Sequence, residues 1–258
     1  MNAVLAALVT GVSHLALVAV VCGPVLWWTR RRRPDAAPET VFGGRRGAAL
    51  LAVAAGSYLA VVVLTRLPRL GPFAELERNW QGQLLALGLC GLLLARHPLL
   101  TARDVGLRRP RPGSWPLVAW AIGGAVAVQL AVGPMGDERA PDAETFLNSA
   151  LMPGLWEELF FRGVLWALIA AALPAGGNPL GLPISWAMVL TSLLFGLGHG
   201  VLLDPADGLV LDPGLVVTST AAGVLFCWLR ERADSVWPAI VLHNLINLSG
   251  LVLLHAGR

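Results

Sequence analysis

Residues 4–28 read VLAALVTGVSHLALVAVVCGPVLWW, and four arginines follow at positions 30–33. About 20 largely apolar residues are enough to cross the hydrocarbon core of a bilayer as a helix. No basic segment precedes the run, and its apolar stretch is too long for a secretory signal. We therefore predict an uncleaved first membrane helix. The tryptophan pair and the arginines at its end are typical of a membrane–water interface.

Further apolar runs recur along the rest of the chain, at residues 48–64, 83–95, 115–132, 146–173, 183–201, 211–229 and 236–254. Only 14% of the residues are charged and the mean hydropathy is +0.67, whereas soluble domains contain about 25% charged residues. Such a chain cannot cover a water-facing surface. The pattern predicts an all-α fold, a polytopic membrane helix bundle of about eight transmembrane helices with the lipid bilayer as its partner.

Polar residues divide the predicted bundle into two parts. Residues 1–145 hold about four spans without a motif, and residues 146–258 hold about four spans that carry ionisable groups. All 19 basic residues are arginine, a usage typical of GC-rich genomes, so we expect a bacterial cell membrane. A net charge of +3 reflects arginine in short loops and predicts no nucleic-acid partner. The arginine distribution favours both termini outside.

The fifth predicted span contains groups that membrane helices normally exclude, because a charge near the bilayer centre costs about 3 kcal/mol or more. Glu158 and Arg162 are four residues apart, so they share a helix face and can pair. That pair could also be only an internal clamp. Glu157 points away from it and has no partner on its own helix. It is therefore either protonated or engaged by groups from other helices.

The sixth and eighth predicted spans repeat the same spacing. Phe195 and His199 are four residues apart, as are His243 and Asn247. An unpaired carboxylate, two imidazoles and an amide can activate water and hold an oxyanion. Glycines on the sixth span would let a neighbouring helix approach closely: Gly196, Gly198 and Gly200. The remaining histidines lie near helix ends or alone and receive no role: His14, His97 and His255.

These motifs, EExxxR, FxxxH and HxxxN in that order, resemble the CAAX protease and bacteriocin-processing family of membrane proteins. The family is also called CPBP, Abi or type II CAAX prenyl endopeptidase-like, and the resemblance covers about residues 148–254. It implies an intramembrane endopeptidase. Glu157 would be the general base, His199 would help to hold the water, and His243 and Asn247 would donate to the oxyanion.

The same resemblance implies that Glu158 and Arg162 form an ion pair that sets the base in place, with Phe195 as a packing residue of its motif. Members of the family have been described both as metalloproteases and as metal-free hydrolases. Zn²⁺ bound by two histidines and a glutamate with an open position therefore stays an alternative, with Glu157, His199 and His243 as ligands. No HExxH motif is present.

The expected substrate is a peptide precursor or a membrane-protein tail, because prenylated CAAX proteins are not expected in a bacterium. Two other functions stay open. One is a non-enzymatic bacteriocin self-immunity or scaffold protein, and the other is a proton-coupled transporter, which would more often show inverted repeats. The side on which the site opens also stays open: the arginine count places it outside, whereas the resemblance implies an opening to the cytosol.

Overall fold

The structure is a computed structural model that describes residues 2–31, 44–132, 142–173 and 184–256. Arg32 and Arg33, from the arginine run after the first predicted span, lie outside the described residues. Nearly all of the described secondary structure is helical, so the all-α prediction is confirmed. The division into parts at residue 145 stays a prediction.

The helices follow the predicted apolar runs. They are α1 (Ala3–Arg31), α2 (Gly44–Leu64), α3 (Trp80–Arg96), α4 (Trp115–Val132), α5 (Ala143–Glu158), α6 (Trp166–Ala172), α7 (Trp186–Gly200), α8 (Pro213–Ala233) and α9 (Trp237–Ala256), with a 3₁₀ turn at Gly71–Ala74. A π-helical segment, Leu159–Leu165, joins α5 to α6. The fifth predicted span is therefore one continuous helical stretch with a π-helical interruption, a feature frequent at functional sites.

Three of the described helices are long and apolar enough to cross a bilayer: Ala3–Trp27, Gly44–Leu64 and Pro213–Ala233. Shorter apolar helices accompany them, at Trp115–Val128, Trp186–Gly200 and Trp237–Val252. These lengths support a helical membrane bundle. The number of eight spans stays a prediction.

A β-hairpin between α7 and α8 was not predicted. β1 (Val201–Asp204) pairs antiparallel with β2 (Gly208–Leu211), and residues 204–208 form its tip. The Asp204 carboxylate accepts backbone N–H groups of Ala206 at 2.7 Å and Asp207 at 3.1 Å. These hydrogen bonds lower the pKa of Asp204. The strands escaped prediction because each has only four residues and their apolar residues continue the neighbouring helical runs.

Helices α7 and α8 approach each other at glycines of the FxxxH motif. A Cβ atom on Gly196 would lie 2.0 Å from Thr220 Oγ1, and one on Gly200 would lie 2.5 Å from the backbone at the start of α8. The predicted close approach is confirmed at these two positions. Gly198 serves a different contact, because its Cβ position lies 3.7 Å from the hydroxyl of Tyr58 on α2.

Candidate active site

A fully buried ion pair lies where α5 passes into the π-helical segment. Arg162 Nη1 donates to Glu158 Oε1 at 3.1 Å, and both side chains are 0% exposed. Each charge offsets part of the desolvation cost of the other, whereas an isolated buried charge would lose its hydration without compensation. The spacing of four residues brings the two groups together on one face, as the sequence indicates.

Aromatic rings surround the guanidinium of Arg162. Its Cζ lies 4.2 Å from the ring centroid of Phe195, 5.1 Å from that of Phe226 and 5.7 Å from that of Phe161. Such cation–π contacts stabilise a desolvated cation. A Cβ atom on Gly223 would lie 3.1 Å from Arg162 Nη2, so glycine leaves room for the cation. Because Nε and Nη2 lack hydrogen-bond partners in the described part of the chain, the rings provide much of its environment.

His243 on α9 also binds Glu158. Its Nδ1 lies 2.7 Å from Glu158 Oε1, and its ring stacks on Phe226 with centroids 5.1 Å apart and planes 13° apart. A carboxylate only accepts hydrogen bonds, so Nδ1–H donates and Nε2 is the free ring nitrogen. Sequence reasoning assigned Glu158 to Arg162 alone. The second partner was missed because it lies 85 residues away, beyond any helical spacing rule.

Glu157 and His199 form a second, more open pair. His199 Nδ1 lies 2.8 Å from the carbonyl oxygen of Phe195, so Nδ1 carries the proton and Nε2 of the neutral ring has a lone pair. That nitrogen lies 3.7 Å from Glu157 Oε2, which is buried without a hydrogen-bond partner. The His199 side chain is 36% exposed and the Glu157 side chain is 13% exposed. With Glu157 ionised and the His199 ring neutral, two acceptors face each other, and neither supplies a proton.

Phe195 links the two groups of polar side chains. Its ring centroid lies 4.4 Å from that of His199 and 6.0 Å from that of His243, and the Arg162 guanidinium lies over it. The residue predicted as a packing element thus contacts the motifs of three helical stretches. It brings together side chains that are far apart in the chain.

Asparagines on α9 differ in their contacts. Asn247 is partly buried one turn beyond His243, and within the described part of the chain no side-chain hydrogen bond ties it to another residue. Asn244 instead joins α9 to α5: its Oδ1 accepts the Gly154 N–H at 2.8 Å, and its Nδ2 donates to Leu151 O at 3.3 Å. Sequence reasoning missed Asn244 because it lies off the HxxxN spacing.

The zinc alternative needs three converging ligands. Among the described residues, no three His, Cys, Asp or Glu side chains converge as a metal site requires. The described residues thus do not fit the three-ligand site of Glu157, His199 and His243.

Comparisons with known proteins bear on the same part of the chain. Residues 141–249 match the family model for type II CAAX prenyl endopeptidases, Rce1-like, and this segment contains both groups of polar side chains. No curated protein and no solved structure matches the chain. The match and the apolar helices support an integral membrane protein. Residues 141–249 are therefore similar to the Rce1-like type II CAAX prenyl endopeptidases, and this similarity supports, at the level of that family, a CAAX-protease-like intramembrane endopeptidase.

Proposed function

We propose that this protein hydrolyses a peptide bond within the membrane by means of a water molecule that Glu157 activates. The facing arrangement of Glu157 Oε2 and His199 Nε2 at 3.7 Å is the observation that carries the proposal. Two acceptors this close need a hydrogen-bond donor between or beside them. Water supplies such a donor, and the side chains of His199 and Glu157 are 36% and 13% exposed.

In the proposed reaction Glu157 takes a proton from the water as its oxygen bonds to the scissile carbonyl carbon. The carbonyl becomes a tetrahedral oxyanion. When the C–N bond breaks, protonated Glu157 returns the proton to the leaving amine nitrogen, so the carboxylate is regenerated. His199 holds the water through Nε2, while its bond to the Phe195 carbonyl keeps that nitrogen unprotonated in the neutral ring. General acid–base catalysis of this kind contributes about 10²–10⁴-fold to a rate.

His243 and Asn247 are the proposed oxyanion donors. They lie one helical turn apart on α9, and Glu158 binds His243 Nδ1 so that Nε2 stays free. When the ring is protonated, Nε2–H and the Asn247 amide donate to the same oxygen. One such preorganised donor is worth about 3–4 kcal/mol in the transition state.

The proposal extends to the setting of the site. We propose a multi-pass protein of the bacterial cell membrane with the eight predicted spans, in which the continuous stretch from α5 to α6 counts as one span. The substrate is a peptide or the tail of a membrane protein. A bilayer site suits such substrates, because apolar segments that already lie in the membrane reach it without leaving the lipid.

The test compares membranes that contain the wild-type protein with membranes that contain Glu157→Gln. Peptide termini are mapped by mass spectrometry, and we expect at least one new terminus that requires the wild-type chain. Glu75→Gln, a change in an exposed loop, serves as the control and should give the wild-type termini. Identical termini with Glu157→Gln and with the wild type would contradict proteolysis and favour a scaffold protein.

A further inference from the structure

His14, on α1, is fully buried and lies outside the matched family segment in the sequence. Its Nδ1 lies 2.7 Å from the hydroxyl of Tyr58, and its Nε2 lies 2.8 Å from the carbonyl oxygen of Val201. His14 and Tyr58 are 0% and 1% exposed. Spacing along the chain indicated no role for this histidine, because its partners lie 44 and 187 residues away. Val201 begins β1, two residues after His199.

Hydrogen-bond donors define the arrangement of this contact. A carbonyl oxygen only accepts, so His14 Nε2–H donates to Val201. In the neutral ring Nδ1 then has a lone pair, and the Tyr58 hydroxyl donates to it. Both ring nitrogens are therefore used. The contact joins three elements, α1, α2 and the start of β1, through one imidazole.

The same face of α1 closes the outer edge of the hairpin. Gly200, just before β1, accepts the Asp212 N–H through its carbonyl oxygen. Backbone groups alternate in direction along an antiparallel ladder, so those of Val201 and Leu203 point away from β2. Val201 O is bound by His14, and the Leu203 N–H donates to Thr10 Oγ1 at 2.9 Å. Positions 10 and 14 lie on one helix face. Without them these backbone groups would be unpaired, which is costly in a membrane.

Tyr58 contacts the last turns of α7. Its hydroxyl gives its one proton to His14 Nδ1 at 2.7 Å, so its longer contact with Leu194 O at 3.3 Å is the weaker, shared one. The hydroxyl also lies 3.7 Å from the place of a Cβ on Gly198. Its ring meets the edge of Phe161 with centroids 6.3 Å apart. Together with His14, it thus borders the end of α7 on the side of α1 and α2. His199 follows Gly198 directly in the sequence.

We propose that His14 and Tyr58 are positioning residues: from α1 and α2 they hold the end of α7 so that His199 Nε2 faces Glu157. The consequence for catalysis rests on the proposed function, whereas the geometric part does not. The helices without a motif thereby contribute to the site. Their contribution is the direction of one imidazole, and neither residue needs to touch the substrate.

The geometric part is tested without a substrate. The purified full chain in detergent is treated with diethyl pyrocarbonate, and modification of His199 and His243 is followed separately by mass spectrometry. The variants are Tyr58→Phe, His14→Ala and His14→Gln, whose amide can still donate to Val201. Ser57→Ala is the control, because its buried hydroxyl bonds only Ala54 on its own helix.

We expect Tyr58→Phe and His14→Ala to raise the modification rate of His199 relative to that of His243 by roughly fivefold. This is the ratio that corresponds to the free energy of one lost hydrogen bond. Ser57→Ala should leave the ratio unchanged, and His14→Gln should restore much of it. An unchanged ratio in Tyr58→Phe and His14→Ala would overturn the proposal. An equal rise in the modification rates of both histidines would also overturn it, because that result indicates that the whole helix bundle has become less stable.

The catalytic part uses a peptide that spans the new terminus found with the wild-type chain. We expect Tyr58→Phe to lower kcat roughly fivefold with little change in KM, because the residue does not contact the substrate. A rise in KM at unchanged kcat would contradict a positioning role. If the wild-type chain generates no terminus, the proposed function fails, and the ratio of histidine reactivities still decides whether His14 and Tyr58 hold His199.

Discussion

Two adjacent glutamates on the same helix lie in opposite surroundings. Glu158 belongs to a closed cluster with Arg162 and His243, in which its Oε1 accepts hydrogen bonds from both partners. Glu157 belongs to an open pair with His199, in which its Oε2 has no hydrogen-bond partner. The closed cluster has side chains 0%, 0% and 9% exposed, whereas those of the open pair are 13% and 36% exposed.

This difference separates a supporting role from a reactive one. Consecutive residues on a helix point about a third of a turn apart, so Glu158 faces the aromatic core and Glu157 faces the more exposed side with His199. Each glutamate has an Oε2 without a hydrogen-bond partner among the described residues, but Glu158 is also held through Oε1 by Arg162 and His243. The more exposed Glu157 is therefore the carboxylate that an external water molecule can approach. We infer that the closed cluster supports the open pair, and the following predictions test that division.

The largest expected effect is on activity, in Glu157→Gln. Gln keeps the shape but cannot take a proton, so the cleavage rate should fall by about 10²–10⁴-fold. The melting temperature in detergent should stay near that of the wild type, because Glu157 Oε2 makes no hydrogen bond that could be lost. A large loss of stability would show that Glu157, too, belongs to the supporting structure.

The largest expected loss of stability is in Glu158→Gln, which leaves the Arg162 charge unpaired. Breaking a buried pair lowers the free energy of unfolding by about 3–5 kcal/mol. The double change Glu158→Gln with Arg162→Met removes both charges, and it should recover most of that loss. Denaturation in detergent compares both variants with the wild type. A stable Glu158→Gln that is merely inactive would reverse the roles of the two glutamates.

A smaller loss is expected from Gly223→Ala, which crowds the closed cluster. The new Cβ would lie 3.0 Å from Ser192 Cα and 3.1 Å from Arg162 Nη2, and overpacking of this kind costs about 1–3 kcal/mol. Gly56→Ala on α2 is the matched control, because no atom lies within 4 Å of its Cβ position. The control should gain up to about 1 kcal/mol from helix propensity. Equal effects at both glycines would show that the cluster tolerates displacement.

The smallest effect concerns the ring of Phe226, which contacts both Arg162 and His243. Phe226→Leu should lose a cation–π contribution of about 0.5–2 kcal/mol in the wild-type background. In the background of Glu158→Gln with Arg162→Met that contribution is absent, so the loss there should be smaller. Unfolding measurements on this double-mutant cycle give the coupling directly. An equal loss of unfolding free energy in both backgrounds would show that the Phe226 ring contributes only apolar packing.

Local periodicity and spacing within the chain determined several features. Residues 115–132 were predicted as a helix, and α4 has these same bounds. The spacing of four residues brought Glu158 and Arg162 onto one face, where they pair. It also predicted that Glu157 lacks a partner on its own helix. These features follow from 3.6 residues per helical turn and from the apolar length needed to cross a bilayer, so the sequence alone is sufficient for them.

Only the tertiary structure decided which of these faces meet. It gave Glu158 a second partner in His243 on α9, made Asn244 the link between α9 and α5, and brought His14 to the end of α7. It also formed the hairpin from residues that continue helical apolar runs. Such contacts join residues tens to hundreds of positions apart. Spacing along a helix does not predict them. The packing of whole helices determines which side chains meet, and this packing depends on glycines that permit close approach and on polar groups that need partners.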